Sequence, residues 1–244
     1  MRVFAYLLLF SVLLGSGWAA WFFFGRPGPD ETPALTALHH RVAGLEAAAA
    51  KGDTGAMVDL GDILARKGTP LADPKRAVAL FRSAAEKGSV RGQVALGRAY
   101  ADGRGVAQNY TDAARWYRVA ATAGLSAEAE FALGELYFRG LGVMNDYGQA
   151  IHYYRMAAER GQPVAQYLVG VMYAEGWGVR RDPVAAFTWL TAALPQAKRI
   201  RAYDASFDPR GRREQVMVTL TETQIHEAER RAAALPHAAP QAAN

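Results

Sequence analysis

This 244-residue sequence predicts an all-α fold, a right-handed solenoid of antiparallel helix pairs with about four repeats plus capping helices, preceded by one transmembrane helix. Three observations predict it. Gly52, Gly88, Gly124 and Gly161 lie 36, 36 and 37 residues apart, a period that signals a stacked repeat array. Each period contains two apolar stripes at helical spacing. Ahead of the array, residues 3–25 carry no charge, and that length suffices for a hydrocarbon core of roughly 30 Å at about 1.5 Å per residue.

The N-terminal segment offers a Gly17-Trp18-Ala19 pattern for secretory cleavage, but Trp21, Phe22, Phe23 and Phe24 prolong the apolar run and suit a membrane interface. Residues 1–25 are therefore expected to be an uncleaved signal anchor. A minimal N-terminal tail stays in the cytoplasm, which places the chain in the inner membrane as a single-pass protein with its array in the periplasm. Residues 26–33, with three prolines among their neighbours, read as a short linker. Residues 34–52 have helix-forming composition and end in Lys51-Gly52, as expected of an N-terminal capping helix.

Residues 53–194 form the array. The dipeptides Leu60-Gly61, Leu96-Gly97, Leu133-Gly134 and Val169-Gly170 keep the period, and Tyr100, Tyr137 and Tyr173 follow the last three glycines at three residues. With the small residues Ala56, Gly92, Ala129 and Ala165 four positions before the Leu or Val, they make one stripe on a first helix, helix A. A loop follows, Gly103-Arg104-Gly105-Val106, Gly140-Leu141-Gly142-Val143 or Gly176-Trp177-Gly178-Val179. Helix B carries the second stripe, Ala113, Trp116, Tyr117, Ala120 and Ala121 in one unit and Ala150, Tyr153, Tyr154, Ala157 and Ala158 in the next. Asn109, Asp146 and Asp182 suit its N-cap, and Gly88, Gly124 and Gly161 suit the left-handed residue that ends it.

This column set resembles the Sel1-like repeat, a relative of the tetratricopeptide repeat. The first unit departs from the pattern, with Lys67-Gly68-Thr69-Pro70 in the loop and Leu80-Phe81 for the aromatic pair. The resemblance implies an adaptor or scaffold for protein assembly, often in bacterial envelopes, with no chemistry common to all members.

Beyond Leu194, Pro195 breaks the helix and a basic loop is expected, with Lys198, Arg199, Arg201, Arg210, Arg212 and Arg213. Thr221 and Gln224 form a capping-box signature before a final helix, so residues 195–235 read as basic loop and C-terminal cap, and residues 236–244 as a disordered tail.

Composition and motifs weigh against several function classes. Lys and Arg number 28 against 23 Asp and Glu, a net charge of +5. The basic loop could meet nucleic acid, yet the aromatics needed for base stacking lie in repeat columns, so no nucleic-acid partner is expected. The Gly-x-Gly-Val loop lacks a third glycine and follows a helix, so its glycines serve the turn and not a phosphate. With no cysteine and no His pair at four residues there is no zinc set, and no catalytic residue, cofactor or metal site is assigned. The chain is expected not to be an enzyme.

Subtracting the packing columns leaves the helix A positions that vary between units: Gln93, Glu130 and Gln166, then Asp62, Arg98, Glu135 and Val171. They are expected to form a ladder facing a protein or peptide partner. Trp177, a large aromatic between two glycines, is expected to anchor that partner. The competing reading is a peptidoglycan- or carbohydrate-associated envelope factor with a weak hydrolase or regulatory role.

Overall fold

A computed structural model describes residues 33–124 and 126–236. The expected transmembrane segment and the tail from residue 237 lie outside the described residues, and no described helix is long and apolar enough to cross a membrane. Twelve α-helices and one 3-10 turn follow one another, with no strand among the described residues. They are α1 (Pro33–Ala50), α2 (Thr54–Leu64), α3 (Pro74–Glu86), α4 (Val90–Asp102), α5 (Tyr110–Gly124), α6 (Ala127–Arg139), α7 (Tyr147–Glu159), α8 (Pro163–Glu175), α9 (Pro183–Ala193), α10 (Ala197–Tyr203), α11 (Pro209–Met217) and α12 (Glu222–Ala233).

Helices α2, α4, α6 and α8 are the helix A set, and α3, α5, α7 and α9 the helix B set. Each packs on its neighbours in sequence, so the core runs along the stack. Short side chains set the spacing: Ala84, Ala120, Ala157, Ala113, Ala150 and Ala186 are fully buried. A Cβ on Gly92 would lie 2.7 Å from the Cβ of Ala84, so only glycine fits that crossing.

The Leu-Gly columns have a second role. A Cβ on Gly61 would overlap the ring of Phe81, one on Gly97 would lie 2.8 Å from Tyr117, one on Gly134 2.5 Å from Tyr154, and one on Gly170 2.7 Å from Leu190. In every unit the glycine of helix A thus receives a large side chain of the following helix B. Burying each such side chain contributes on the order of 1.5–3 kcal/mol.

Caps close each helix. Asp53, Asp73, Ser89, Ser126, Asp146, Gln162, Asp182 and Asp208 each accept a backbone N–H of the first turn. Asn109 accepts from the N–H of Asp112 at 3.1 Å. Gly88 and Gly161 take the left-handed conformation expected of them, with φ 84° and 81°. Helix α5 has Gly124 as its last residue.

The loops join units as well as helices. A Cβ on Gly105 would strike the carbonyl of Pro74, one on Gly142 the backbone of Tyr110 and Thr111, and one on Gly178 the backbone of Tyr147 and Gly148. The second glycine of each loop therefore rests on the start of helix B in the unit before. Gly68, in the divergent first unit, has nothing within 4 Å.

The stretch expected to be a basic loop is largely helical. After the 3-10 turn Leu194–Gln196, Ile200 of α10 is fully buried, and α11 packs on α9. Arg213 stacks over Phe187 at 4.4 Å, donates to Thr191 Oγ1 at 2.9 Å and pairs with Glu229 at 3.0 Å, while Arg212 reaches Glu175 at 3.0 Å. Two of the six basic residues thus fasten the cap to the array. The capping box at Thr221 and Gln224 forms as expected, and α12 packs on α9.

Candidate functional site

The expected binding column divides into two groups. Gln93, Glu130 and Gln166 are buried, and they bind the array to itself. Gln93 Nε2 donates to the Ala85 carbonyl at 3.5 Å, and Gln166 Nε2 to Ala158 at 3.2 Å and to Pro236 at 2.8 Å. Glu130, which as a carboxylate cannot donate, instead accepts from Arg160 Nε at 3.0 Å through both oxygens. This column lies one residue beyond the small-residue stripe and is turned into the helix crossings, so it offers no face to a partner. Gln93 Oε1 is left without a partner in that interior.

Val171, also expected to face a partner, is 7% exposed among Tyr167, Phe187 and Leu190, yet it lines the same cleft as Glu135. The remaining ladder residues do reach clefts on the helix A face. Asp62 and Arg98 line a cleft of about 370 Å³ with Arg66, Phe81, Asp102 and Arg104. Arg98 stands 3.8 Å from Asp62 and 3.4 Å from Glu128, bridging successive units. Half-burial raises the Asp62 carboxyl above its ordinary pKa, against the pull of Arg98 and Arg91.

Glu135 lies in a larger cleft of about 650 Å³, between the last two repeats and the C-terminal cap. Its walls are aromatic: Phe138, Tyr154, Tyr167, Trp177, Tyr203 and Phe207. Glu135 accepts from the Tyr154 hydroxyl at 2.5 Å. Burial, then the charge and hydrogen bond of Glu135, push the Tyr203 phenol up to about 12. Arg139 stands exposed at the rim and forms no ion pair among the described residues.

Trp177 is 41% exposed, and its ring leans on Phe138 at 5.9 Å and Tyr147 at 6.4 Å. It is therefore a braced platform at the cleft rim, half seated on the preceding unit. The sequence reading missed Tyr203 and Phe207. Tyr203 meets Phe131 edge-on at 5.5 Å, and Phe207 lies 4.8 Å from Tyr167, because α10 folds back against α8. Two aromatics four residues apart inside an otherwise basic stretch were the available signal.

Tyr100 and Tyr137 behave as packing residues with a polar tip. Arg82 donates to the Tyr100 hydroxyl at 3.0 Å and Arg118 to that of Tyr137 at 3.2 Å, one unit apart. Among the described residues no group of three His, Asp or Glu side chains is placed to hold a metal ion.

Comparison with known proteins agrees with this geometry. The Sel1 repeat family pattern matches residues 54–89, 90–125, 127–162 and 163–194, more than half of the chain. The crystal structure of a Sel1 repeat protein from Oxalobacter formigenes is 25% identical with a TM-score of 0.58, over 78% of this chain and 76% of that one. A protective antigen of uropathogenic Escherichia coli with an SLR fold is 25% identical at a TM-score of 0.47, over 83% of this chain and 53% of that one. A Sel1 repeat protein from Klebsiella pneumoniae is 22% identical at 0.47, over 72% and 83%. No curated protein matches. Sel1 repeat proteins are generally protein-interaction scaffolds. Four matched repeats, each with its glycine beneath the next helix, make the chain a member of the Sel1 repeat family.

Proposed function

We propose that this chain is a membrane-tethered adaptor that holds an extended segment of an envelope protein along its helix A face. The observation that carries the reading is that Asp62, Arg98 and Glu135, at the same helix A position of successive units, all line clefts, the last of them aromatic. An extended peptide could set polar groups against the ladder and an apolar side chain among Trp177, Tyr203 and Phe207. Aromatic walls give such a site large contact area at low entropic cost. The hydrolase alternative draws less support. The cleft carboxylates are already engaged: Glu135 by Tyr154, Asp204 by the Ser206 N–H and hydroxyl, and Asp208 by the Gly211 N–H.

Tethering rests on the uncharged residues 3–25, and a periplasmic array on the short N-terminal tail. Full-length protein should stay with membranes through an alkaline carbonate wash, and a phosphatase fused after Asn244 should be active. A soluble species beginning near Ala20 would show cleavage instead.

Partner binding is tested by photo-crosslinking from a benzoylphenylalanine at Trp177 in cells. A discrete crosslinked protein is expected, and it should disappear when Arg98→Glu and Arg139→Glu are combined. Both arginines are exposed, so helicity should be unchanged, and like-charge juxtaposition at an interface costs several kcal/mol. Glu135 is a poorer probe because it also holds Tyr154. A crosslink that survives both reversals would place the binding surface elsewhere.

A further inference from the structure

Helix order gives the solenoid two unlike edges. Every helix A ends, and every helix B begins, at the edge of the Gly-x-Gly loops. Helix α1 joins α2 through the turn used by later units: Asp53 N–H donates to the Ala48 carbonyl at 3.2 Å, as Ser89 does to Ala84 at 3.0 Å and Gln162 to Ala157 at 3.1 Å. It therefore runs like a helix B, and its first residue, Pro33, emerges at the loop edge. In sequence, the uncharged run at residues 3–25 precedes Pro33 by residues 26–32.

That same edge exposes apolar and basic side chains. Met144 is 88% exposed and Trp177 41% exposed. Arg104, Arg180 and Arg181 are exposed and form no ion pair among the described residues. Of its acids, Asp102 stands exposed beside Arg104, while others are already engaged. Asp146 accepts from the Gln149 N–H at 3.0 Å, Asp182 from those of Val184 and Ala185 at 3.0 Å, and Asp112 pairs with Arg115 at 3.0 Å. Among the described residues, the opposite edge, at the turns around Lys87 and Arg160, has no exposed large apolar side chain.

We propose that the loop edge lies on an anionic bilayer surface, with Met144 in the headgroup region and Arg104, Arg180 and Arg181 against lipid phosphates, while Trp177 stays with the cleft. An exposed apolar side chain can enter the headgroup region, and basic side chains are drawn to anionic leaflets. The inference rests on the reading of residues 3–25 as the membrane tether. It adds an orientation: the array lies down on the bilayer along one edge, which leaves the helix A face turned sideways and open.

The chain has no cysteine, so single labels can be placed at Met144→Cys and, on the opposite edge, at Lys87→Cys. Full-length labelled protein is reconstituted with vesicles of phosphatidylcholine, with or without phosphatidylglycerol, carrying nitroxide lipids that quench the label. Quenching at Met144→Cys should exceed that at Lys87→Cys several-fold when phosphatidylglycerol is present. It should fall when that lipid is omitted or when Arg180→Glu and Arg181→Glu are introduced. Equal quenching at both sites, or quenching indifferent to lipid charge and to the arginine reversals, overturns the edge contact while the tether stands. Failure of the chain to float with either vesicle overturns the tether and the edge contact together.

Discussion

The ring of Tyr154 covers Gly134 so closely that a Cβ on the glycine would lie 2.5 Å from the ring carbon Cδ1. Tyr154 is itself 1% exposed and tied to Glu135, so it cannot swing aside without breaking a buried hydrogen bond. Gly134→Val should therefore cost about 1–3 kcal/mol or more by overpacking. Thermal unfolding followed by circular dichroism would show a lowered Tm. An unchanged curve would contradict the pairing of helix A glycine with helix B aromatic.

Loop glycines separate two effects of substitution. Gly68 and Gly142 both have positive φ, 76° and 67°, but only Gly142 meets a neighbouring backbone. Gly68→Ala should cost about 1–2 kcal/mol for the left-handed conformation alone. Gly142→Ala should cost clearly more, because the unit must lift from Tyr110 and Thr111. Urea denaturation of the two variants side by side checks the order.

Among the described residues, Arg160 is the sole charge paired with Glu130, whose side chain is entirely buried. Arg160→Ala should destabilise by roughly 3 kcal/mol, the low end for a broken buried pair because Arg160 reaches solvent. Arg160→Ala with Glu130→Gln should recover much of the loss, since the amide restores the donor that Gln93 and Gln166 supply in their units. Equal stability of the single and double variants would refute this role.

Burial raises the phenols of Tyr117, Tyr154 and Tyr203, and that of Tyr203 stands at about 12. The folded state thus holds protons that an unfolded chain releases near pH 10. The stability this represents is complete below about pH 10 and is lost as pH rises through about 12. Phenolate absorbance of wild type minus Tyr203→Phe should show a transition well above pH 10, moved down by Glu135→Gln. A difference curve centred at the ordinary tyrosine value would refute the assignment.

Sequence periodicity made the helix pairs, their caps and the close-packed glycines legible, because each is a local pattern repeated in register. Burial of the variable helix A positions was harder to read. Gln93, Glu130 and Gln166 are polar and differ between units, the signature of a solvated face, yet all three point into the helix crossings, where they bind main-chain carbonyls or an arginine. Variation there reflects interchangeable polar joints between units. The aromatic cleft was half legible: Glu135 and Trp177 belong to repeat columns, whereas Tyr203 and Phe207 arrive from outside the repeat, on α10 and on the turn that follows it.

The seating of each loop glycine on the unit before it gives the array a direction. Removing the last repeat would uncover the main chain at Tyr147 and Gly148, against which Gly178 now rests, and would strip the cleft of one wall. Removing the first would leave Gly105 without the Pro74 carbonyl beneath it and would bare the crossing where Gly92 meets Ala84. The mismatched first loop, whose Gly68 meets nothing, makes no such seat on the helix before it, so the stacking of loop on helix begins only with the second unit.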